Sequence, residues 1–323
     1  MILKQTETPL DAPLTESEPL RELPSPGKNV SVLERLVGAE PTLPMPRLLV
    51  VFAHPDDEVL ALGGRLHRLR LSRLLCVTDG APLDGADAGA HGFATLEEYR
   101  KARRIELEAA LALGGLPPEC AQPLLVDGPD GENRLLPDQT AALHLSDLTR
   151  AVMREMERFR PEAVLTHPYE GGHPDHDSCA FAVHTAVRLL GGSPRPAIIE
   201  APFYHSAPNG METGTFLPAL QHDGSEQQAP IVCELSASEQ ARKREMLACF
   251  RTQRETLAQF GTEREQFRVA PEYDFRRRPQ AGRLFYEGFP WGMSGDRLCE
   301  LAAAAAEELG VRKLSGGPGM QWP

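Results

Sequence analysis

The sequence predicts an α/β protein built on a doubly wound parallel sheet, and three observations carry this prediction. Short continuous apolar runs recur along the chain, as in "RLLVVFAH" at 47–54 and "PEAVLTHP" at 161–168. Segments with helical spacing separate these runs, and several of them end in paired glycines. The chain has 323 residues, of which 41% are hydrophobic, so it can bury a substantial core. Strands that alternate with helices form parallel sheets with right-handed crossovers, and we expect helices on both faces.

The apolar runs read as strands that are buried on both faces, because they lack the alternation of a half-exposed strand. Strands are expected at 47–54, 74–80, 123–128, 161–168 and 197–203. Helices are expected at 58–70, 95–115, 140–159 and 175–192, with a loop at 81–94. The glycines that close the second and fourth of these helices are typical helix ends.

The alternation weakens after residue 204. "PIVCEL" predicts an edge strand, and Ser236 opens a capped helix that is expected to reach Phe260. Residues 270–295 combine many aromatic residues with proline and glycine, and a final helix is expected at 296–309. The predicted organisation is as follows: an N-terminal arm at 1–45 with a short helix near 30–36, a main domain at 46–260, and an aromatic-rich C-terminal extension at 261–323 packed on it.

Composition excludes several classes of partner. The net charge of −12 argues against nucleic acid and against an anionic membrane surface. No run of 18 apolar residues is present, so no membrane span is expected. The six cysteines form no CxxC motif and read as reduced thiols. The first residues lack a signal-peptide pattern, and we expect a cytoplasmic protein.

Two groups of ionisable residues follow the first and the fourth predicted strands. "HPDDE" at 54–58 ends the first strand, and "HPDHD" at 173–177 follows the fourth. In an open parallel sheet, ligands bind beyond the carboxyl ends of the strands. The two groups are therefore expected at the same edge of one sheet.

Histidines and carboxylates in this pattern are typical of a site for zinc or a similar divalent metal. His54 and Asp57 lie three residues apart at a strand-to-helix turn, and His176 can add a third donor from a distant loop. A catalytic zinc usually has three protein ligands and one open position. Asp56 and Asp57 are neighbours whose side chains point in different directions, so one can coordinate the metal while the other reaches the metal's water as a general base.

The remaining residues of the second motif complete the hypothesis. His173 is free to act as an acid or an electrostatic clamp, and Asp175 is expected to orient its imidazole. Each motif alone also fits a helix cap, because acidic residues in a first helical turn are common. Since both motifs fall at one edge of the sheet, a metal site is favoured over two caps.

The two motifs resemble the LmbE-like, or PIG-L, family of zinc-dependent N-deacetylases. "AHPDDE" at 53–58 and "GGHPDHD" at 171–177 carry the resemblance, which extends over residues 46–260. Weaker matches are "VTDG" at 77–80, "RRIELEAALALG" at 103–114 and "KREMLACFRTQ" at 243–253. The resemblance implies a Rossmann-like sheet in an LmbE-like catalytic domain.

The resemblance also implies roles for individual residues. The metal ligands would be His54, Asp57 and His176, and Asp56 would be the general base. His173 would stabilise the intermediate or protonate the leaving amine, with Asp175 tuning it. Arg103 would meet a sugar hydroxyl, although an intrahelical pair with Glu106 is an equal alternative. Gly171 stands where some members carry a tyrosine, and Tyr169 lies two residues earlier.

The implied activity is removal of acetyl from an N-acetylated amino sugar or its conjugate, with zinc activating the attacking water and Fe²⁺ as an alternative metal. The expected partner is a small-molecule substrate, and a homo-oligomer stays open. An amidase or deacylase acting on a non-sugar N-acyl group is one alternative, and a non-catalytic sugar-binding protein is another. A nucleotide-binding protein is disfavoured, because HPDDE replaces the glycine-rich phosphate loop. For the aromatic stretch, packing onto the sheet domain is favoured over contact with a sugar.

Overall fold

The computed structural model describes residues 32–38, 45–128, 130–191, 195–217 and 229–311. All of them belong to one compact unit. Most of the expected N-terminal arm lies outside the described residues, but its expected short helix is present at Val32–Val37. No helix in the described ranges combines the length and the apolarity that a membrane crossing requires.

The strands, numbered in chain order, form one large sheet and three small ones. The large sheet contains β1 Leu48–Phe52, β2 Arg73–Cys76, β4 Ala121–Pro123, β8 Ala163–Thr166, β9 Ala197–Glu200, β12 Ile231–Glu234 and β13 Arg264–Val269. The small sheets pair β3 Thr78–Pro82 with β7 Leu136–Asp138, β5 Val126–Asp127 with β6 Asn133–Arg134, and β10 Tyr204–Ala207 with β11 Gly210–Thr213.

The order of strands in the large sheet is β12-β13-β9-β8-β1-β2-β4. The five strands from β9 to β4 are parallel to their neighbours, whereas β13 runs antiparallel to both β9 and β12. The chain moves from β1 to β2 on one side and places β8 on the other. The strand order therefore reverses between β1 and β8, which is where ligands bind in this class of sheet.

Helices cover both faces of the large sheet. They are α1 Val32–Val37, α2 Asp57–Leu62, α3 Ala86–Ala90, α4 Leu96–Leu113, α5 Leu145–Phe159, α6 Pro174–Leu189, α7 Ala237–Leu247, α8 Arg254–Leu257 and α9 Gly295–Glu308. Alternate residues of β1 enter two different cores. Val50 packs with residues of α2, α4 and α7, while Val51 packs with residues of α5 and α6. The predicted fold class, with a mostly parallel sheet between two helical layers, is confirmed.

Two helices are shorter than their patterns predict, because tertiary hydrogen bonds replace helical ones. The helix expected at 58–70 ends at Leu62, where the Gly64 N–H donates to Oε1 of Glu265. The helix expected to reach Phe260 stops at Leu247. Beyond it, the backbone N–H and the hydroxyl of Thr252 both donate to the Glu106 carboxylate.

Two other segments also differ from expectation. The expected loop at 81–94 contains the short helix α3. Residues 264–269, which were placed in the C-terminal extension, form β13 inside the large sheet. The extension thus supplies a strand to the main layer, and the domain limits at 45, 260 and 261 stay a proposal.

Candidate metal and catalytic site

The candidate site lies at the carboxyl ends of β1 and β8, where two strand-to-helix turns meet. His54 follows β1, and Asp57 is the first residue of α2. His173 is the N-cap of α6, Pro174 fits the first helical position, and His176 lies in the first turn. Each motif therefore lies at the start of a helix. The strand-to-helix turn that contains it directs its polar side chains to the carboxyl edge of the sheet.

Donor atoms of the three predicted ligands converge in a small triangle of residues, to which Asp57 contributes both carboxylate oxygens. Nδ1 of His54 lies 3.2 Å from Nε2 of His176 and 3.4 Å from Oδ2 of Asp57. Oδ1 of Asp57 lies 3.5 Å from Nε2 of His176. All three residues are at most 8% exposed. The structure thus brings together the ligand set that the motif spacing predicted.

The electrostatics of the triangle suit a cation. Burial lowers the pKa of His176 to about 3, so its imidazole is neutral and offers a lone pair. Burial alone would raise the pKa of Asp57, but the imidazoles of His176 and His167 outweigh it and hold that pKa well below its usual range. The site therefore presents a carboxylate and a neutral imidazole to the same point.

The donor set passes a geometric test for zinc. Zinc–ligand bonds of about 2.0–2.1 Å in a tetrahedron place neighbouring donors about 3.3 Å apart. The three separations of 3.2, 3.4 and 3.5 Å bracket that value. Two imidazole nitrogens that face each other across such a gap, beside a carboxylate, form the donor chemistry of a divalent transition metal.

Asp138 is a functional candidate that sequence reasoning missed. Its Oδ1 lies 3.0 Å from Nε2 of His54, on the side of the ring away from the triangle. Burial opposes protonation of His54, but the Asp138 carboxylate reverses this and raises the pKa of His54 well above 6.5. With Nε2 held by this carboxylate, Nδ1 faces the triangle. Asp138 ends the short strand β7, and nothing in "RLLPDQT" sets it apart from an ordinary turn aspartate.

Asp56 lies beside the triangle and is held by Arg103. Nη2 of Arg103 is 3.2 Å from Oδ2 of Asp56, and both side chains are buried. Burial raises the pKa of Asp56 to about 7, with the Arg103 charge opposing that rise. The backbone φ of Asp56 is 154°, a value that L-residues rarely adopt. Such strained conformations persist only where the surrounding structure holds them in place.

The ion pair of Arg103 is with Asp56 and not with Glu106, and its contact with a sugar hydroxyl stays a prediction. The Glu106 carboxylate accepts from Thr252, whereas Arg103 pairs with Asp56. Within the described structure, the buried Nε and Nη1 of Arg103 have no hydrogen-bond partner. The guanidinium thus keeps donors free after it has paired with Asp56.

His173 reaches the site, and several neighbours contact its ring. Its Nδ1 accepts the backbone N–H of Asp175 at 3.1 Å, which places the proton of the neutral ring on Nε2. The Asp175 carboxylate lies 4.0 Å from that Nδ1 and instead accepts from the N–H groups of Gln139 and Ala141. Nε2 of His173 faces Oδ1 of Asp138 at 3.7 Å. The backbone N–H of Asp175 and the Asp138 carboxylate also contact the ring, and the expected role of Asp175 in orienting His173 stays a prediction.

Neither residue considered for the tyrosine position enters the site. Gly171 has φ 73°, and a Cβ there would lie 2.8 Å from the Leu284 side chain. The Tyr169 hydroxyl donates to the Arg277 carbonyl at 2.9 Å, and its ring packs against Phe275. Tyr204 is the tyrosine whose ring contacts a candidate ligand, with its centroid 5.4 Å from that of His176.

His167 contacts two of the three candidate ligands. Its ring stacks on His176 with centroids 3.9 Å apart, and its Nε2 lies 3.3 Å from Oδ2 of Asp57. The same Nε2 accepts the Ala53 N–H at 3.0 Å, which ties the end of β8 to the end of β1. His167 thus packs against His176 and lies beside Asp57 without joining the triangle.

Fold and site together define an α/β protein with a His-Asp-His cluster that could hold a metal ion. Residues 49–187 match the family model described as "PIG-L: GlcNAc-PI de-N-acetylase". This segment is thus similar to the PIG-L, or LmbE-like, family, and the resemblance drawn from the two motifs is confirmed.

Curated relatives align over less than half of the chain. A 1D-myo-inositol 2-acetamido-2-deoxy-alpha-D-glucopyranoside deacetylase of Rhodococcus erythropolis is 32% identical over 158 residues, which are 44% of this chain and 52% of the relative. A probable N-acetyl-alpha-D-glucosaminyl L-malate deacetylase 2 of Bacillus cereus is 30% identical over 162 residues, which are 47% of this chain and 65% of the relative. The chain thus spans about half to two thirds of the length of these relatives.

A solved structure extends the likeness in fold beyond the aligned sequence. The crystal structure of the A40926 pseudoaglycone deacetylase Dbv21 superposes with a TM-score of 0.50 at 18% identity. The superposition covers 71% of this chain and 98% of that one. At this identity the match supports the fold alone.

Proposed function

We propose that this protein is a metal-dependent N-deacetylase that removes acetyl from an N-acetylated amino sugar or its conjugate. The observation that carries the proposal is the triangle of donors from His54, Asp57 and His176, with the Asp56 carboxylate directly beside it. The two curated relatives are named as deacetylases of N-acetylglucosamine conjugates, which supports the same class of substrate.

The proposed metal is zinc, held by His54, Asp57 and His176, with Fe²⁺ as the alternative. When bound, such a metal polarises an amide carbonyl and makes water nucleophilic near neutral pH. Asp138 would fix the ligand orientation of His54 through the contact at Nε2. His167 would support the orientation of His176 through its stacked ring.

Asp56 is the proposed general base. It adjoins Asp57 in the chain, yet its Oδ2 points to Arg103 rather than into the triangle. A carboxylate in that position accepts the proton of the attacking water and holds it at an oxygen near the reacting carbon. The Arg103 guanidinium keeps the carboxylate in place throughout.

His173 is the proposed donor on the other side of the reacting amide. Since Nδ1 accepts a backbone N–H, Nε2 carries the proton and faces the site. That N–H stabilises the negative charge that develops on the acyl oxygen, or delivers a proton to the departing amine nitrogen. Products are acetate and a free amine.

The proposed partner is a small acetylated amino sugar, and the two free donors of Arg103 suit its hydroxyl groups. Acetate release from N-acetylglucosaminides by the full-length, zinc-loaded protein tests the proposal. N-butyryl glucosaminides and N-acetyl amino acids distinguish it from a longer-chain deacylase and from a non-sugar amidase. Absence of acetate release from every N-acetylglucosaminide would contradict it, and the Asp56→Asn variant serves as the matched inactive protein. A cytoplasmic location and a homo-oligomer stay predictions.

A further inference from the structure

Aromatic side chains border the candidate site from one imidazole to another. Tyr204 contacts His176, with ring centroids 5.4 Å apart. Phe285 contacts Tyr204, Phe289 contacts Phe285, and Trp291 contacts Phe289, with ring centroids 4.5–5.4 Å apart in each pair. The Trp291 ring in turn lies 4.7 Å from His173. We call this set the aromatic strip, and its members are Tyr204, Phe285, Phe289 and Trp291.

The middle of the strip faces solvent. Phe289 is 41% exposed, and its ring stacks on Trp291 with an interplanar angle of 12°. Other aromatic residues of the same stretch behave differently, since Phe275 and Tyr286 are buried in a core with residues of α9. Trp291 is partly buried against that same core, whereas Phe289 presents flat apolar surface to solvent beside the site.

The strip is held in place before any ligand arrives. Glu287 accepts from the N–H groups of Leu284 and Gly295, each at 2.8 Å, and from Nη2 of Arg278 at 2.6 Å. The Phe285 N–H donates to the Gly171 carbonyl at 2.9 Å, in the loop that leads to His173. The aromatic surface and the candidate proton donor are therefore fixed relative to each other, which lowers the ordering cost of binding.

We propose that the aromatic strip is a binding subsite for a ring carried on the anomeric carbon of the amino sugar, stacked on Phe289 and Trp291. This inference rests on the proposed function, because it places His173 next to the amine nitrogen that leaves the acetyl group. The group that stays attached to that amine is the sugar with its anomeric substituent. A sugar ring and an aryl ring share the required chemistry, a flat apolar face that an aromatic side chain can cover.

The experiment compares binding of three glycosides of N-acetylglucosamine, with methyl, phenyl and glucosyl groups on the anomeric oxygen. The protein is the full-length, zinc-loaded Asp56→Asn variant, which leaves the ligand intact. We expect the phenyl and glucosyl glycosides to bind about two- to tenfold more tightly than the methyl glycoside, the effect of one aromatic contact. A preference for phenyl alone would assign an aryl group, and one for glucosyl alone a second sugar. Equal dissociation constants for all three would overturn the inference.

Variants of Phe289 separate stacking from general apolar contact. Phe289→Ala and Phe289→Leu should bring the ratio of the methyl to the phenyl Kd close to one, while Phe289→Tyr should keep it. Leu71→Ala is the matched control. Leu71 is 59% exposed and lies just before β2, at the amino ends of the parallel strands, whereas the candidate site lies at their carboxyl ends. If Phe289→Ala keeps the preference, the strip is not the subsite.

A spectroscopic readout is independent of turnover. The chain has two tryptophans, so Trp322→Phe leaves Trp291 as the source of tryptophan fluorescence. Titration with the phenyl glycoside should change that fluorescence, and a saturable binding isotherm without any change would contradict stacking on Trp291. Binding and acetate release are separate measurements. Failure of the proposed function would appear as no acetate from any glycoside, whereas failure of this inference would appear as binding without a ring preference.

Discussion

Nε2 of His54 lies 3.0 Å from Oδ1 of Asp138, although 84 residues separate them in the chain. This contact sets which nitrogen of His54 faces the donor triangle. Carboxylates that hold the far nitrogen of a metal-binding imidazole typically contribute one to two orders of magnitude to metal affinity. Asp138 therefore belongs to the candidate site as much as the motif residues do.

Replacing Asp138 tests this relationship. Asp138→Asn should weaken zinc affinity by about 10- to 100-fold, because the amide cannot hold His54 as a charged acceptor does. Competition with a chromogenic chelator measures the change. Asp127→Asn, which removes only a surface pair with Arg154, is the control and should bind zinc as the wild type does. Equal affinity in the Asp138 variant would remove this residue from the site.

Replacing His176 tests the ligand set. His176→Ala should leave the purified protein with little zinc, because one of three protein donors is lost. The control is His91→Ala, at an exposed loop histidine whose ring contacts only the Asp87 carbonyl and Tyr99 among the described residues. Metal content measured by atomic emission distinguishes them, and a fully loaded His176 variant would show that the triangle is not the metal site.

Asp56→Asn should separate metal binding from turnover. The variant should keep its zinc, because Oδ2 of Asp56 points to Arg103. Acetate release should fall by about 10²- to 10⁴-fold, the usual contribution of a general base. Metal content and kcat are measured on the same preparation. Loss of zinc together with activity would reverse the roles of Asp56 and Asp57.

Gly80→Ala tests the placement of Arg103. A Cβ at Gly80 would lie 2.7 Å from Nε of Arg103 and 2.9 Å from Pro55, so the guanidinium must move. Displacement by about 1 Å can lower kcat/KM by about 100-fold. Gly85→Ala is a matched control with a similar positive φ of 69° and no heavy atom within 4 Å of its Cβ in the described structure. Both variants carry the backbone penalty, so an activity loss confined to Gly80→Ala identifies the contact with Arg103.

The stability contribution of Glu287 should depend on pH. Burial opposes its charge, but the N–H groups of Gly295 and Leu284 and the Arg278 guanidinium lower its pKa below the ordinary 4.5. A lowered folded-state pKa stabilises the protein above pH 4.5, and that stability is lost as pH falls through the folded-state value. Glu287→Gln should therefore lower the free energy of unfolding by about 1–3 kcal/mol at pH 7.

The difference in Tm between wild type and Glu287→Gln should narrow as pH falls from 7 toward about 3. Glu300→Gln provides the control, since Glu300 forms an exposed pair with Arg297 and should shift Tm little at any pH. A Tm difference that widens as pH falls would contradict the conclusion that the charged form of Glu287 stabilises the fold.

The strands and the three metal donors were predictable from the sequence for local reasons. Buried parallel strands are continuous apolar runs, and a motif that follows such a run lies at the carboxyl edge of the sheet. His54 and Asp57 share one turn, so their proximity follows from spacing alone. His176 follows because β8 neighbours β1.

Contacts between residues distant in the chain account for what the sequence did not reveal. Asp138 reaches His54 only because β7 pairs with β3 beyond the end of β2. The strand β13 has a mixed pattern, "REQFRV", and its place is set by its pairing with β9. Trp291 meets His173 through a loop held by Glu287, and no local pattern specifies that approach.

The position of β13 has a consequence for biosynthesis. A nascent chain that has released β9 already contains every residue of the donor triangle, but its sheet still ends at β9 with an unpaired edge. That edge is covered only after residues 264–269 leave the ribosome and insert between β9 and β12. Open strand edges recruit other chains, so a fragment that stops at residue 260 should aggregate even though it carries all the metal donors.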